Sequence, residues 1–297
     1  MDRIDTVVFG DNQFFGINHM SQERAQQLAE QFYDLNNIFD VYRIAIDAGI
    51  RAVMLNSNDR AADICEHFRA RSSQYPSLAW YPSIPYPHKF ANLISEKGIV
   101  AALNSILFKD ASALQGLSAV TQGGLALLSK DAIQLMRMLV DVEMRMFGGL
   151  DIKAVFLQNV VTDLILGLGL QDFFHEYCEH IRRKYRALPG LITQNMPRLR
   201  AQLLQWQISD VVICTSINKI GYLMSPDLGA YQQALAANDP RVYQIMAMST
   251  LASGAVPPAA AYEFINALNI QSVVFGASSR KHIEETVRLI RPTGAMN

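Results

Sequence analysis

Net charge is nearly absent from this chain. Its 297 residues carry 26 Lys+Arg against 27 Asp+Glu, so it lacks the basic surplus that nucleic acids and anionic membrane surfaces select. Cysteine is scarce and unpatterned. Cys65, Cys178 and Cys214 have no CxxC spacing, which gives neither a disulfide framework nor a zinc-ligand set. Long apolar runs are missing too; none reaches the roughly 18 residues that would span a bilayer. The start, Met1-Asp-Arg-Ile-Asp5, lacks the charged-then-apolar order of a secretory leader. These absences lead to the expectation of a soluble, cytoplasmic protein that binds a small molecule, with no nucleic-acid or membrane partner. They leave its oligomeric state open.

What is present is a regular alternation. Half of the residues are hydrophobic and 18% are charged, enough for a sizeable core. Short apolar runs predict strands at Thr6–Phe9, Arg51–Asn56, Leu78–Tyr81, Lys153–Leu157, Leu191–Thr193, Asp210–Cys214, Tyr243–Met248 and from Ser272. Helical spacing intervenes, as in Ile38, Val41, Tyr42, Ala45 and Ile46, in Arg60–Ala70, and in Gln171–Arg186. Leu188-Pro-Gly190 reads as a turn, and Pro197 opens the helix running to Trp206. After the third strand the connection is long: a helix over Phe90–Leu107, an insertion at about Gly98–Gly124, and an apolar-rich helix over Ser129–Phe147. Eight strand–helix units predict a (β/α)8 barrel over 1–297, a single α/β domain with an extended helical connection after strand three. A doubly wound sheet is the alternative, because periodicity does not separate closed sheets from open ones. No GxGxxG follows the first strand; Gly167-Leu-Gly169, after the fourth, is the nearest approach.

In a barrel the site lies at the C-terminal ends of the strands. That rule gathers Asp11, Asn12, Gln13, Phe14, Phe15 and His19 after strand one, then Asn56, Ser57, Asn58, Asp59 and Arg60 after strand two. Tyr86, His88 and Lys89 follow strand three, Gln158 and Asn159 strand four, and Thr193, Gln194 and Asn195 strand five. Thr215, Ser216 and Asn218 end strand six. The rim is rich in amides and hydroxyls and poor in carboxylates, which suits holding a polar ligand. Its acid–base candidates are His19, Asp59 and His88. The six histidines show no ligand-like grouping, so no metal is expected. Ser272-Val-Val-Phe-Gly-Ala-Ser-Ser279 runs into a helix from Arg280, a turn that offers backbone N–H groups, two hydroxyls and a helix N-terminus to an anion. The same residues also suit a plain strand-to-helix connection with a serine cap.

Over about its last third the chain resembles the aldo-keto reductase superfamily. Gly190-Leu-Ile-Thr-Gln-Asn195 followed by Val211–Asn218 is similar to that family's fifth and sixth strands. Ala247-Met-Ser-Thr-Leu-Ala-Ser-Gly254 resembles its loop over the cofactor pyrophosphate. Val273-Val-Phe-Gly-Ala-Ser-Ser279 with Ile283, Glu284 and Glu285 resembles its closing adenosine-phosphate signature. The first half matches in layout alone, as in Asp47-Ala-Gly49-Ile-Arg51 before strand two. The resemblance implies NADP(H) as cofactor, bound by Asn195, Ser249, Leu251, Gly276, Ser278, Ser279 and Arg280. The family's Asp–Tyr–Lys–His tetrad does not carry over. Its aspartate falls on Met54 or Asn56, its tyrosine near Asp59 and its histidine on Gln158, and no lysine occurs until Lys89. The implied function is an NADP(H)-dependent oxidoreductase of divergent mechanism. The alternatives are a non-catalytic ligand-binding protein on the same fold, or a lyase or isomerase acting on a phosphate-bearing ligand.

Overall fold

Eight parallel staves close on themselves. A computed structural model describes residues 3–15, 22–85, 133–134 and 136–290. Its strands are β1 (Val7–Phe9), β2 (Ala52–Asn56), β3 (Ala79–Ile84), β4 (Asp151–Ile152 continuing as Ala154–Leu157), β5 (Leu188–Thr193), β6 (Val211–Ser216), β7 (Tyr243–Met248) and β8 (Ser272–Phe275). Each pairs with the next in sequence, and β8 returns to β1 through Val7↔Val273, Val8↔Val274 and Phe9↔Phe275. The sheet therefore has no edge, and the (β/α)8 reading holds over the open, doubly wound one.

Helices α1 (Gln22–Gln31), α2 (Leu35–Asp47), α3 (Ala61–Ala70), α4 (Asn159–Leu168), α5 (Gln171–His180), α6 (Met196–Gln205), α7 (Leu228–Ala236), α8 (Pro258–Asn266) and α9 (Arg280–Leu289) belong to the connections between staves. A further helix covers 136–144. Local chemistry sets several of their ends. Asp34, Asn195, Asp227 and Ser279 each accept a first-turn N–H as N-caps. Gly169, at φ +68°, ends α4 in the left-handed region that a side chain disfavours. No helix among the described residues is long and apolar enough to cross a membrane.

Period-two alternation divides the apolar residues into two layers. Val8, Ala52, Met54, Tyr81, Ala154, Phe156, Ile192, Val212, Cys214, Met246 and Val274 form the filling of the barrel. Phe9, Val53, Leu55, Trp80, Val155, Leu157, Leu191, Val211, Ile213, Ile245 and Val273 face outward beneath the helices. Gly190 belongs to the filling. A Cβ there would stand 2.4 Å from the ring of Phe156, so the small residue on β5 makes room for the large one on β4.

Three details depart from the sequence reading. Leu188-Pro-Gly190 starts β5 instead of turning before it: Ala154↔Leu188, Val155↔Pro189 and Phe156↔Gly190 are in register. Proline's turn preference yields here to eight-fold closure. Likewise β3 runs through Pro82 to Ile84, because Leu55↔Pro82 and Asn56↔Ser83 extend its pairing with β2. Helix α4 was not anticipated. Its continuous apolar run, Val160 to Leu168 with Thr162 and Asp163 inside, gives little periodic contrast. The stretches read as a helix over Phe90–Leu107 and an insertion at Gly98–Gly124 lie outside the described residues.

Candidate active site

One residue beyond the apolar filling, the inward positions turn polar. Asn56, Ser83, Gln158, Gln194, Ser216 and Met248 stand two positions past inward apolar residues of β2 to β7, with Gly10 and Gly276 at the same level on β1 and β8. All eight line one cavity of about 990 Å³ at the C-terminal end of the barrel. That size is at the upper end for small-molecule and cofactor sites, which run from roughly 300 to 1,000 Å³. The only charged side chains on its described lining are Asp11 and Glu285, with His282 as its histidine.

The floor is a connected hydrogen-bond network. Gln158 Nε2 donates to Asn56 Oδ1 and to Ser83 Oγ, each at 2.6 Å. Asn56 Nδ2 then donates to Asp11 Oδ1 at 2.5 Å, and the Asn56 backbone N–H donates to Asp11 Oδ2 at 2.9 Å. Asn58 Nδ2 adds a third donor to Oδ2 at 3.3 Å. Burial raises the Asp11 carboxyl from 3.8 to about 7, the Asn56 donors offsetting part of the desolvation. Asp11 is 2% exposed yet lines the cavity. Opposite, the Ser216 hydroxyl is buried without a hydrogen-bond partner.

The wall toward β7 and β8 includes a loop with unusual backbone angles. Ser249, Ala252 and Ser253 hold φ values of 53°, 47° and 57°, and Gly254 reaches 92°. Three non-glycine residues in the left-handed region within five positions store strain, which proteins keep at ligand-contacting loops. Ser249, Leu251, Ser253 and Gly254 line the cavity. On the β8 side, Gly276 has Gln13 Oε1 2.1 Å from where its Cβ would stand, and that oxygen is itself buried without a partner. Ser278 and His282 complete this end at the first turn of α9.

The residues anticipated from sequence are distributed unevenly. Ser249, Leu251, Gly276 and Ser278 are on the cavity lining. Asn195 and Ser279 instead cap α6 and α9, accepting from Arg198 N at 3.2 Å and His282 N at 3.4 Å. Arg280 is an exposed side chain that reaches Asp47 and Glu284, each at 3.3 Å, away from the lining. Asp59 is exposed in the turn before α3 and does not line the cavity. His19 and His88 lie outside the described residues. Among those described, no group of three or more His, Cys, Asp or Glu is placed to hold a metal. The residue that sequence reading placed on the rim without singling out is Asp11. Its one signal was an aspartate directly after the first strand and Gly10; burial, which sets its chemistry, is not written in the sequence.

Neither a protein-family model nor a curated protein matches the chain. Solved structures do. A candidate aldo-keto reductase from Pseudomonas aeruginosa superposes with a TM-score of 0.56 at 12% identity, over 97% of this chain and 90% of that one. A candidate 2,5-diketo-D-gluconic acid reductase B gives 0.55 at 11% identity, over 96% and 82%. At such identities the likeness is one of fold: the chain has the closed barrel found in aldo-keto reductases.

Proposed function

We propose that this protein is a nicotinamide-dinucleotide-dependent oxidoreductase of the aldo-keto reductase type, acting on a small carbonyl or alcohol compound by proton chemistry of its own. The observation that carries the reading is the shape and lining of this cavity. It extends from a polar floor that suits a small substrate to a wall that suits a phosphate-bearing cofactor.

The residues present fit such a cofactor. The Ser249–Gly254 loop and the first turn of α9 offer backbone N–H groups, and Ser278 adds a hydroxyl. Gly276 lets the Gln13 side chain lie against the end of β8, since a Cβ there would stand 2.1 Å from Gln13 Oε1. The proposed cofactor set is Ser249, Leu251, Gly276 and Ser278 at the wall, with Asn195 and Ser279 fixing the adjoining helices and Arg280 outside. For NADP(H) the 2′-phosphate is to be met by Ser278 and His282. When bound, the nicotinamide supplies or removes a hydride; the chain's part is to orient the carbonyl, exclude water and manage one proton. Of the groups read from sequence for that proton, Asp59 is exposed and off the lining, and His19 and His88 lie outside the described residues.

One observation favours a second reading. Asn56, Ser83 and Gln158 occupy the inward strand ends as neutral groups bonded to one another. A protein that binds the dinucleotide without turning anything over would need no more. A phosphate-ligand lyase or isomerase would use the wall without nicotinamide.

Calorimetric titration with NADPH, then a panel of aldehydes and ketones, separates the three. Binding with turnover is expected. Binding alone selects the non-catalytic protein, and no heat at millimolar NADPH ends the oxidoreductase reading. Ser278→Asp should weaken binding at least tenfold, because it sets a carboxylate against phosphate.

A further inference from the structure

We propose that Asp11 is the catalytic proton donor of this cavity, presented by an amide relay in place of a phenol, an inference that rests on the oxidoreductase reading above.

The geometry comes first. Asp11 is the carboxyl group of the cavity floor, two residues past the C-terminal end of β1. Each described side-chain or strand partner of its carboxyl oxygens is a donor: Asn56 N, Asn56 Nδ2 and Asn58 Nδ2. In this arrangement Asn56 Oδ1 receives Gln158 Nε2 while its Nδ2 faces the carboxyl, and Gln158 is held in turn by Ser83. With the amides so turned, Asn56 presents only donors to Asp11, and the carboxyl borders the cavity. No Lys or Arg lines the described wall to hold the group permanently ionised.

The surroundings keep that proton available near neutrality. Burial moves the carboxyl from 3.8 to about 7, where a proton donor is most effective at physiological pH. The titratable group packed beside it is Tyr42 of α2, whose hydroxyl is buried, unpartnered and pushed well above 10, so it stays neutral. Asn56 and Asn58 on β2 and its turn carry no charge. His282 and Glu285 belong to the α9 end of the cavity.

The step balances. A reduced nicotinamide bound in the cavity would supply the hydride that a substrate carbonyl carbon accepts, and would be left in its two-electron oxidised form. Asp11 would give its proton to the carbonyl oxygen, so that C=O becomes CH–OH, and the carboxylate would regain a proton from water. In the reverse direction the carboxylate accepts the alcohol proton.

The test combines aspartate side-chain 13C NMR with kinetics on the full chain. Comparison with Asp11→Asn assigns the Asp11 carboxyl signal, which is expected to titrate near pH 7. With NADPH and a responsive carbonyl compound, Asp11→Asn should lower kcat at least ~100-fold, the usual weight of a lost general acid. NADPH affinity should stay within about threefold of wild type, since the group touches the substrate end. The wild-type rate of reduction should fall as pH rises through 7, a readout that needs no variant. Asp11 is overturned if its signal titrates below pH 5, or if Asp11→Asn turns over within about threefold of wild type. Absence of NADPH binding in wild type overturns the oxidoreductase reading and this step with it, and binding without turnover overturns the catalytic role.

Discussion

Asp11 and Asn56 meet twice, the side-chain amide of Asn56 on one carboxyl oxygen at 2.5 Å and its backbone N–H on the other at 2.9 Å. The pair joins the ends of β1 and β2, whose described ladder contact is Phe9↔Val53. It fixes a buried carboxyl against two neutral donors, with no cation bonded to it among the described residues. Two opposed effects result: desolvation raises the pKa and the hydrogen bonds lower it, with desolvation the larger.

Asn56→Leu separates those effects. It deletes one donor to Asp11 and leaves Gln158 Nε2 with Ser83 Oγ as its remaining acceptor, so urea unfolding should show a loss of about 1–3 kcal/mol. The Asp11 midpoint should rise, because a bond to the ionised form is gone. A fall in that midpoint would show that the Asn56 amide does not stabilise the ionised carboxyl.

Stability should carry the opposite pH signature from an ordinary salt-bridged aspartate. The folded pKa of Asp11, about 7, lies above the ordinary carboxyl value of 3.8, so the folded state holds the proton more tightly. The contribution is full below 3.8, declines as pH rises between 3.8 and 7, and is lost above 7. Thermal melts of wild type and Asp11→Asn across pH 4 to 8 should show wild type losing ground through that window and then running parallel. Parallel curves throughout would contradict the shift.

Gly190→Ala tests the barrel filling. The added methyl would stand 2.4 Å from the fully buried Phe156 ring. A loss of about 1–3 kcal/mol is expected, partly recovered in the double variant with Phe156→Leu. A cost under about 0.5 kcal/mol would mean that β4 and β5 shift easily.

The thiols should be silent. Cys65, Cys178 and Cys214 are buried and unpaired. Burial pushes Cys65 and Cys178 up to about 12 and Cys214 higher still, so none presents a thiolate. Ellman's reagent should register no thiol in the native protein over minutes and three after unfolding in guanidinium chloride. Fast native reaction of any one would reveal local opening of its helix or strand.

The residues alone determined the architecture. Eight apolar runs of strand length with helical stretches between them leave few ways to bury both faces, and the Ser272–Ser279 stretch placed a strand, turn and capped helix correctly. They also showed which types of group crown the strands, since period two carries the alternation past the last apolar residue to Asn56, Gln158, Gln194 and Ser216. Closure was a tertiary matter, because the β8–β1 pairing joins segments more than 260 residues apart and no local pattern encodes it. So was the chemistry of the floor. Asp59 and Asp11 are the same residue type at comparable strand ends; one stands in water and the other sits under the barrel mouth against Asn56. The difference is solvation, and solvation belongs to the packed barrel.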